Sequence, residues 1–137
     1  MSSGIDCTDE CVDQFNDLKL KHTCKYIVYK ITDDWTEIQV AKTGDKSSSY
    51  DDFLEELPEN ECRYAIYDYE FKHDDRLQSK ILFIVWAPDT SKIKAKMLYA
   101  SSKANFKKKL VGIGTEIQAN DLAEIDEDAV KEKVTRV

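Results

Sequence analysis

The sequence predicts a single α/β domain, in which a mixed β-sheet carries helices on both faces. Two observations support this prediction. Segments rich in β-branched and aromatic residues alternate with segments of helical periodicity, in the order α β β α β β α β α. Residues 80–87 are apolar at both odd and even positions, which is typical of an interior strand covered on both faces. Because the strands are joined mostly as hairpins, the helices that lie between them in the sequence are expected to pack on the faces of the sheet.

Size and composition limit the possible classes of protein. With 137 residues, 42% of them hydrophobic and 34% charged, the chain is expected to form one domain over residues 1–137. No window of 18 apolar residues predicts a membrane span. The N-terminus lacks the basic and apolar regions of a secretory signal, so we expect four free thiols in a reducing compartment. A net charge of −7 argues against a general nucleic-acid binder.

The N-terminal part predicts a helix followed by a hairpin. Residues 1–5 are small and are expected to be mobile. Thr8 is placed to cap a helix that begins with two acidic residues. Residues 26–31 and 37–42 have strand composition and are joined by a short polar turn, and residues 44–48 read as a loop. The expected apolar face of the first helix consists of Cys11, Val12, Phe15 and Leu18.

The middle and C-terminal parts continue the alternation. Ser49 and Asp52 form a capping-box pattern at the start of a short helix that Pro58 ends. Residues 63–71 read as a strand that a charged turn joins to the interior strand. The remaining elements are a short strand at 115–119, a turn or helical turn at 120–124, and a last helix opened by Asp126 with Ala129, Val130 and Val134 inward.

Residues 91–112 are the most unusual segment, because they are basic in an acidic chain. They hold seven lysines and no acidic residue, whereas surface helices usually mix both signs. Pro88 and Asp89 suggest a strand stop and a helix cap, and Gly112 suits the far end. Either this helix has an ordinary solvated face, or it binds an acidic partner, which the missing acids favour. An apolar stripe, expected to face the core, consists of Ile93, Met97, Ala100, Ala104 and Val111; a basic stripe consists of Lys92, Lys96, Lys103 and Lys107.

With these elements placed, the sequence resembles the actin-depolymerising factor/cofilin family. The resemblance covers about residues 3–136 and implies a five-stranded mixed sheet between helix pairs, and a binding protein that is not an enzyme. It also implies binding to actin monomers and filament sides, preference for ADP-actin, severing and depolymerisation. The matching segments are residues 61–71 (ECRYAIYDYEF), 86–90 (WAPDT), 93–103 (IKAKMLYASSK) and 111–119 (VGIGTEIQA), with 15–20 and 50–58 in support.

The resemblance also assigns site residues and regulation. Phosphorylation at Ser3 would oppose actin binding, because a phosphate adds about −1.5 to −2 charge beside lysines. The implied protein is a monomer of the cytoplasm and actin cytoskeleton, with nuclear import left open and no cofactor. The contact shared by monomers and filaments falls on Ser3, Gly4, Ile5, Lys94, Lys96, Met97 and Leu98; the filament-side contact on Arg76, Lys80, Glu132, Lys133 and Arg136; and a phosphoinositide site on Lys94, Lys96, Lys107, Lys108 and Lys109.

Three positions depart from the family pattern. Gln78 replaces a common basic residue near Asp74 and Asp75, which predicts a weaker filament-side contact. Lys21 stands where glycine is common, and Ala104 replaces a common acidic residue.

Other functions remain open at this point. A relative could bind the branch-nucleating complex, or cover filament sides without severing. Cys62 and His73 could be imagined as a nucleophile and its base, without a supporting spacing. A zinc site formed by Cys7, Cys11, His22 and Cys24 has acceptable chemistry, but the spacing favours free thiols.

Overall fold

The architecture is a five-stranded mixed sheet with helices on both faces, as the sequence predicts. The structure, a computed structural model, describes residues 5–135. The strands are β1 (Cys24–Ile31), β2 (Ile38–Asp45), β3 (Arg63–His73), β4 (Arg76–Trp86) and β5 (Thr115–Ala119). The helices are α1 (Asp9–Lys21), α2 (Tyr50–Glu55), α3 (Ile93–Lys109) and α4 (Glu127–Thr135), with a 3₁₀ turn at Leu122–Ile125.

The strand order β2-β1-β3-β4-β5 places β4 inside the sheet. β1 and β2 pair as an antiparallel hairpin, as do β3 and β4, whereas β5 runs parallel to β4. Parallel neighbours need a crossover connection, and here α3 supplies it. The basic helix α3 therefore connects β4 to β5, two strands that are neighbours in the sheet.

The core has two layers, one on each face of the sheet. Phe15 and Leu18 of α1 and Phe106 of α3 are fully buried against one face. The other face is covered by α2 and α4, where Phe53 and Val130 are equally buried. β4 contributes alternate residues to both layers, which explains why it is apolar at odd and even positions.

Local signals place most helix starts correctly. The Ser49 hydroxyl accepts the Asp52 N–H at 3.1 Å, and the Asp52 carboxylate accepts the Ser49 N–H at 3.0 Å, which confirms the capping box. Asp126 accepts the N–H of Ala129 at 2.7 Å and so caps α4. Thr8 occupies the N-cap position of α1, but its side chain makes no capping hydrogen bond.

Two predicted boundaries are wrong. Gly44 and Asp45 belong to β2 and not to a loop, because Gly44 pairs with Tyr26. A Cβ at Gly44 would lie 2.0 Å from the Tyr26 ring, so only glycine fits there. Asp89 does not cap α3: the helix begins four residues later, after Lys92, which makes no side-chain cap.

The hairpin between β3 and β4 ends in a two-residue turn of Asp74 and Asp75. Both residues have positive φ, 55° and 63°, which matches the twist of a tight hairpin. Arg76 is the first residue of β4 and pairs with His73 across this tip. The tip therefore presents two carboxylates next to one guanidinium.

Candidate functional site

The face of helix α3 that is buried in the core is opposite to the face that its aliphatic pattern predicts to be buried. Ile93 is 76% exposed and Met97 is 66% exposed, although both were expected inside. Ala100, Ala104 and Val111 are exposed as well, so the predicted inward stripe is wrong as a whole. The residues that are buried instead are Ala95, Tyr99, Ser102 and Phe106.

Two aromatic residues decide which face is buried. The Phe106 ring meets Tyr29 edge to face, with 4.9 Å between ring centroids, and Tyr99 packs on Tyr64 at the same distance. The Tyr99 hydroxyl also accepts the N–H of Ile31 at 2.8 Å. Aromatic side chains bury more area than the aliphatic residues opposite them, and their pairing adds to this. Their spacing of seven residues was the signal in the sequence that could have identified the buried face.

Helix α3 is therefore apolar on two opposite sides. We call Ile93, Met97, Ala100 and Ala104 the outer stripe. A surface helix of a protein that acts alone usually keeps polar residues on its outer face. Clustered exposed apolar residues of this kind mark a surface that binds another molecule. The outer stripe is thus the strongest structural signal for function in the described part of the chain.

Lys94 and Lys96 lie on opposite sides of the outer stripe. The Lys94 ammonium lies 5.6 Å from the centre of the Trp35 ring, near the β1–β2 turn. The Lys96 ammonium donates to the backbone oxygen of Asp89 at 2.8 Å, on the loop before the helix. A partner that covers the outer stripe would meet a cation at each side. Leu98 is only partly exposed, since it packs against the core cluster beneath the helix.

The lysines in the C-terminal half of α3 are partly neutralised within the molecule. Lys103 and Lys107 both donate to the Glu116 carboxylate on β5, at 3.0 and 2.8 Å. The hydrogen bond from Lys107 is the main reason why the pKa of Glu116 lies below its ordinary value, with Lys103 adding to the effect. Lys109 lies 3.3 Å from Asp6, whereas Lys108 points to solvent. The helix is therefore less cationic towards a partner than its lysine count suggests.

The predicted filament-side residues lie around the other end of β4. The Lys80 ammonium donates to the backbone oxygen of Val134 at 3.0 Å, which joins β4 to the last turn of α4. Glu132 and Lys133 are exposed on that helix, and Arg76 is exposed at the hairpin tip. Arg76 lies four positions before Lys80, roughly 14 Å away along β4. The structure thus groups Lys80 with α4 and leaves Arg76 apart.

Three predicted residues, Ser3, Gly4 and Arg136, lie outside the described residues, as does most of the segment expected to be mobile. Ile5 is described and is held in place: its N–H donates to the buried hydroxyl of Ser102 on α3 at 3.1 Å. The chain therefore enters the domain directly beside the basic helix.

The alternative catalytic pair is separated by the fold. Cys62 precedes β3 and is buried, whereas His73 ends that strand. At about 3.3 Å per residue the two lie roughly 35 Å apart along the strand, too far for any proton transfer. Burial also raises the pKa of the Cys62 thiol, which disfavours the reactive thiolate.

The proposed zinc ligands do not form a site. Over residues 5–135, no three histidine, cysteine or acidic side chains converge as metal ligands. The Cys11 thiol donates to the backbone oxygen of Ile38, and burial raises its pKa to about 11. His22 faces the Asp68 carboxylate at 3.2 Å instead of a thiol. The same part of the chain contains no helix with the length and apolarity needed to cross a bilayer.

Comparison with known proteins gives consistent matches along the chain. The model of the family described as cofilin/tropomyosin-type actin-binding protein matches residues 4–135. Actophorin from Acanthamoeba castellanii is 51% identical over 134 residues, with 98% of this chain and 97% of the relative covered. Cofilin from Mycosarcoma maydis is 53% identical over 137 residues, with 99% and 98% covered. The crystal structure of Streptomyces griseoflavus cofilin superposes with a TM-score of 0.91 at 43% identity, with 97% and 98% covered.

Proposed function

The chain belongs to the family of cofilin/tropomyosin-type actin-binding proteins, and we propose that it binds ADP-actin monomers and filament sides, and severs and depolymerises filaments. The observation that carries the proposal is the outer stripe of α3, apolar and exposed between Lys94 and Lys96. We further propose a monomeric, cytoplasmic protein that acts by binding and not as an enzyme, with nuclear import left open.

The proposed binding mode is the insertion of a helix into an apolar cleft. Met97 enters the cleft between the two lobes of an actin subunit, and Lys94 and Lys96 meet carboxylates at its rims. Leu98 contributes through its exposed part, and Ser3, Gly4 and Ile5 extend the same contact. Binding buries apolar area that the free protein leaves in water, which is the favourable term in such association.

The filament-side contact is proposed at Arg76, Lys80, Glu132, Lys133 and Arg136. Lys80 helps to hold α4 in position through its bond to Val134 and offers its remaining donors to the neighbouring subunit. Gln78 adds no charge, and the carboxylates at the hairpin tip oppose Arg76. We therefore propose a filament-side contact that is weaker than the α3 contact.

Severing follows from differential binding. A ligand that prefers one filament twist shifts subunits towards that twist. The size of the shift is limited by the difference between its affinities for the two states. Boundaries between decorated and bare segments then join two different twists and are mechanically weak. Severing is consequently expected to peak at partial decoration.

Two modes of regulation are part of the proposal. Phosphorylation of Ser3 would place negative charge beside the lysines that meet actin. A phosphoinositide head group would bind Lys94 and Lys96, with Lys107, Lys108 and Lys109 as a second group about 20 Å along the helix. Because Lys107 and Lys109 already bind acids, Lys108 is the most available of the second group.

The first test is the double substitution Lys94→Glu/Lys96→Glu. We expect loss of binding to ADP-actin monomers in a fluorescence titration, because two attractive contacts become repulsive. The control Lys21→Glu/Lys46→Glu makes the same charge change at two exposed positions away from α3, at the end of α1 and in the turn after β2. Unchanged monomer binding in the first variant would show that this site assignment is wrong.

A second candidate function, side binding without severing or binding to the branch-nucleating complex, is favoured by the acidic hairpin tip and Gln78. Microscopy of single ADP-actin filaments at sub-saturating protein separates the two. Fragmentation that peaks at partial decoration supports severing. Decoration without breakage would support the second candidate.

A further inference from the structure

Lys94 is held in a different way from the other lysines of α3 that have a partner within the molecule. Those lysines donate to backbone or carboxylate oxygens; they are Lys96, Lys103, Lys107 and Lys109. The Lys94 ammonium instead lies 5.6 Å from the centre of the Trp35 ring and has no oxygen partner among residues 5–135. An aromatic face attracts a cation without using any of its N–H donors. All three donors of Lys94 therefore remain available to a carboxylate on a partner.

Trp35 occupies a backbone conformation that bulky residues rarely adopt. Its φ is 61°, in the left-handed region. The other non-glycine residues with positive φ in the described part of the chain are His22, Asp74 and Asp75, which are of types found there more often. Such a conformation persists only where the surrounding structure holds it, and it is concentrated at functional sites. The backbone of the turn therefore does not explain a tryptophan at this position.

The turn between β1 and β2 holds Trp35 in place. The Trp35 N–H donates to the backbone oxygen of Thr32 at 2.8 Å. The hydroxyls of Thr32 and Thr36 donate to the Asp34 carboxylate, at 2.6 and 2.7 Å. The Trp35 side chain is partly buried, because it packs on the same core cluster as α3. The ring is thereby fixed beside the first turn of α3, where the Lys94 ammonium meets it.

We propose that Trp35 is a positioning residue for actin binding: its ring holds the Lys94 ammonium at the side of the outer stripe without neutralising it. The inference rests on the proposed function, in which Lys94 meets a carboxylate of actin. Trp35 acts through Lys94 and need not touch actin. A lysine side chain that is already ordered loses less rotamer freedom on binding than a free one. A carboxylate in the place of the ring would also order Lys94, but it would take up the charge that the partner needs.

The first test compares Trp35→Leu with Trp35→Phe in the full-length chain, by fluorescence titration of labelled ADP-actin monomers with urea unfolding in parallel. Trp35→Leu stays apolar but loses the ring, and it is expected to weaken binding about 3- to 10-fold, the scale of ordering one long side chain. Trp35→Phe restores an aromatic face and is expected to stay within about twofold of wild type. Equal losses in the two variants, or wild-type affinity of Trp35→Leu, would overturn the positioning role.

A double-mutant cycle with Lys94→Met shows whether Trp35 acts through Lys94. Lys94→Met keeps a long stem without the charge and is expected to weaken binding, and adding Trp35→Leu is expected to weaken it no further. Additive losses would overturn the proposal. Lys25→Met is the matched control, because the Lys25 ammonium lies at the same 5.6 Å from the ring of Tyr67, outside the proposed contact. A loss of affinity in this control equal to that of Lys94→Met would also count against the proposal.

The contact between ring and ammonium is tested in the free protein, by fluorine NMR of a chain labelled with a fluorinated tryptophan. The chain has two tryptophans, and Trp35→Phe identifies their signals. The other, Trp86, is buried and donates its indole N–H to the backbone oxygen of Pro58 at 2.7 Å. Lys94→Met is expected to move the Trp35 signal and to leave the Trp86 signal in place.

A Trp35 signal that does not move in Lys94→Met would overturn the contact, even if Trp35→Leu failed to fold. Each of these negative results leaves the proposed function intact, provided that the unaltered chain binds actin. Absence of actin binding by the unaltered chain would overturn both.

Discussion

The outer stripe gives a prediction with a defined size. Met97→Ala removes a side chain that is 66% exposed in the free protein, so folding gains little from it. We expect the free energy of unfolding to change by no more than about 0.5 kcal/mol, as at other surface sites. Alanine also keeps the helix propensity high, so α3 is expected to form normally.

The effect on binding is expected to be larger. Fully burying a methionine side chain is worth about 1.5–3 kcal/mol relative to leaving it exposed. Since about two-thirds of Met97 is available to a partner, its truncation is expected to weaken binding by about 1–2 kcal/mol, or roughly 5- to 30-fold in Kd.

The assay is a fluorescence titration of labelled ADP-actin monomers, with urea unfolding in parallel. Leu20→Ala is the matched control, because Leu20 is an apolar residue on α1 that is 72% exposed. It is expected to leave the actin affinity within about twofold of wild type, since it lies outside the proposed contact. An unchanged affinity of Met97→Ala, or equal losses in both variants, would refute the assignment of the outer stripe.

Three further predictions concern stability. Phe106→Ala is expected to lower the free energy of unfolding by about 3–5 kcal/mol in urea titrations, because it empties a fully buried aromatic position. Gly44→Ala is expected to lower it by about 1–3 kcal/mol through collision with the Tyr26 ring, whereas Gly114→Ala, with a nearest contact of 3.4 Å, is a milder control. Glu116→Gln is expected to reduce stability at pH 7 by up to about 1 kcal/mol, and this difference is expected to vanish in acid.

The sign of the Glu116 effect follows from its two lysine partners. They lower the pKa of the folded carboxyl, so the ion pairs stabilise the folded chain above the unfolded value of about 4.3. That contribution is lost as the pH falls through the lower, folded value. Unfolding measured between pH 7 and pH 3 checks this, and a difference between Glu116→Gln and wild type that persists in acid would contradict it.

Equal stabilities of Phe106→Ala and wild type, or of the two glycine variants, would contradict the packing described for α3 and β2.

The sheet could be predicted from sequence because its signals are local. The β4 strand shows its two-sided burial in its composition, and Ser49 with Asp52 identify the start of α2 within four residues. Such signals depend on neighbours in the chain and do not require knowledge of the packing. The strand order and the parallel pairing of β5 depend on contacts between distant parts of the chain, so no single segment predicts them.

The orientation of α3 could not be predicted from its aliphatic periodicity. Ile93 and Met97 define one face and Tyr99 and Phe106 the opposite one, and periodicity gives the angle between two faces but not which is buried. The choice depends on the aromatic residues of the sheet that receive Phe106. Likewise, the pairing of Glu116 with lysines on α3 joins residues from different elements and has no local signature.

The acidic tip of the β3–β4 hairpin has a consequence for ionic strength. Asn-Gly or Asp-Gly would form such a turn with less backbone strain than two aspartates at positive φ. The two aspartates therefore do not favour the backbone conformation of the turn, and they add two negative charges to it. Salt shortens the range of both attraction and repulsion, to about 8 Å at 0.15 M. Added salt would therefore weaken the lysine contacts of α3 while relieving repulsion between the tip and an acidic filament. The cations of the filament-side contact are screened as well, so we expect salt to weaken filament-side binding less steeply than monomer binding, and not in proportion to it.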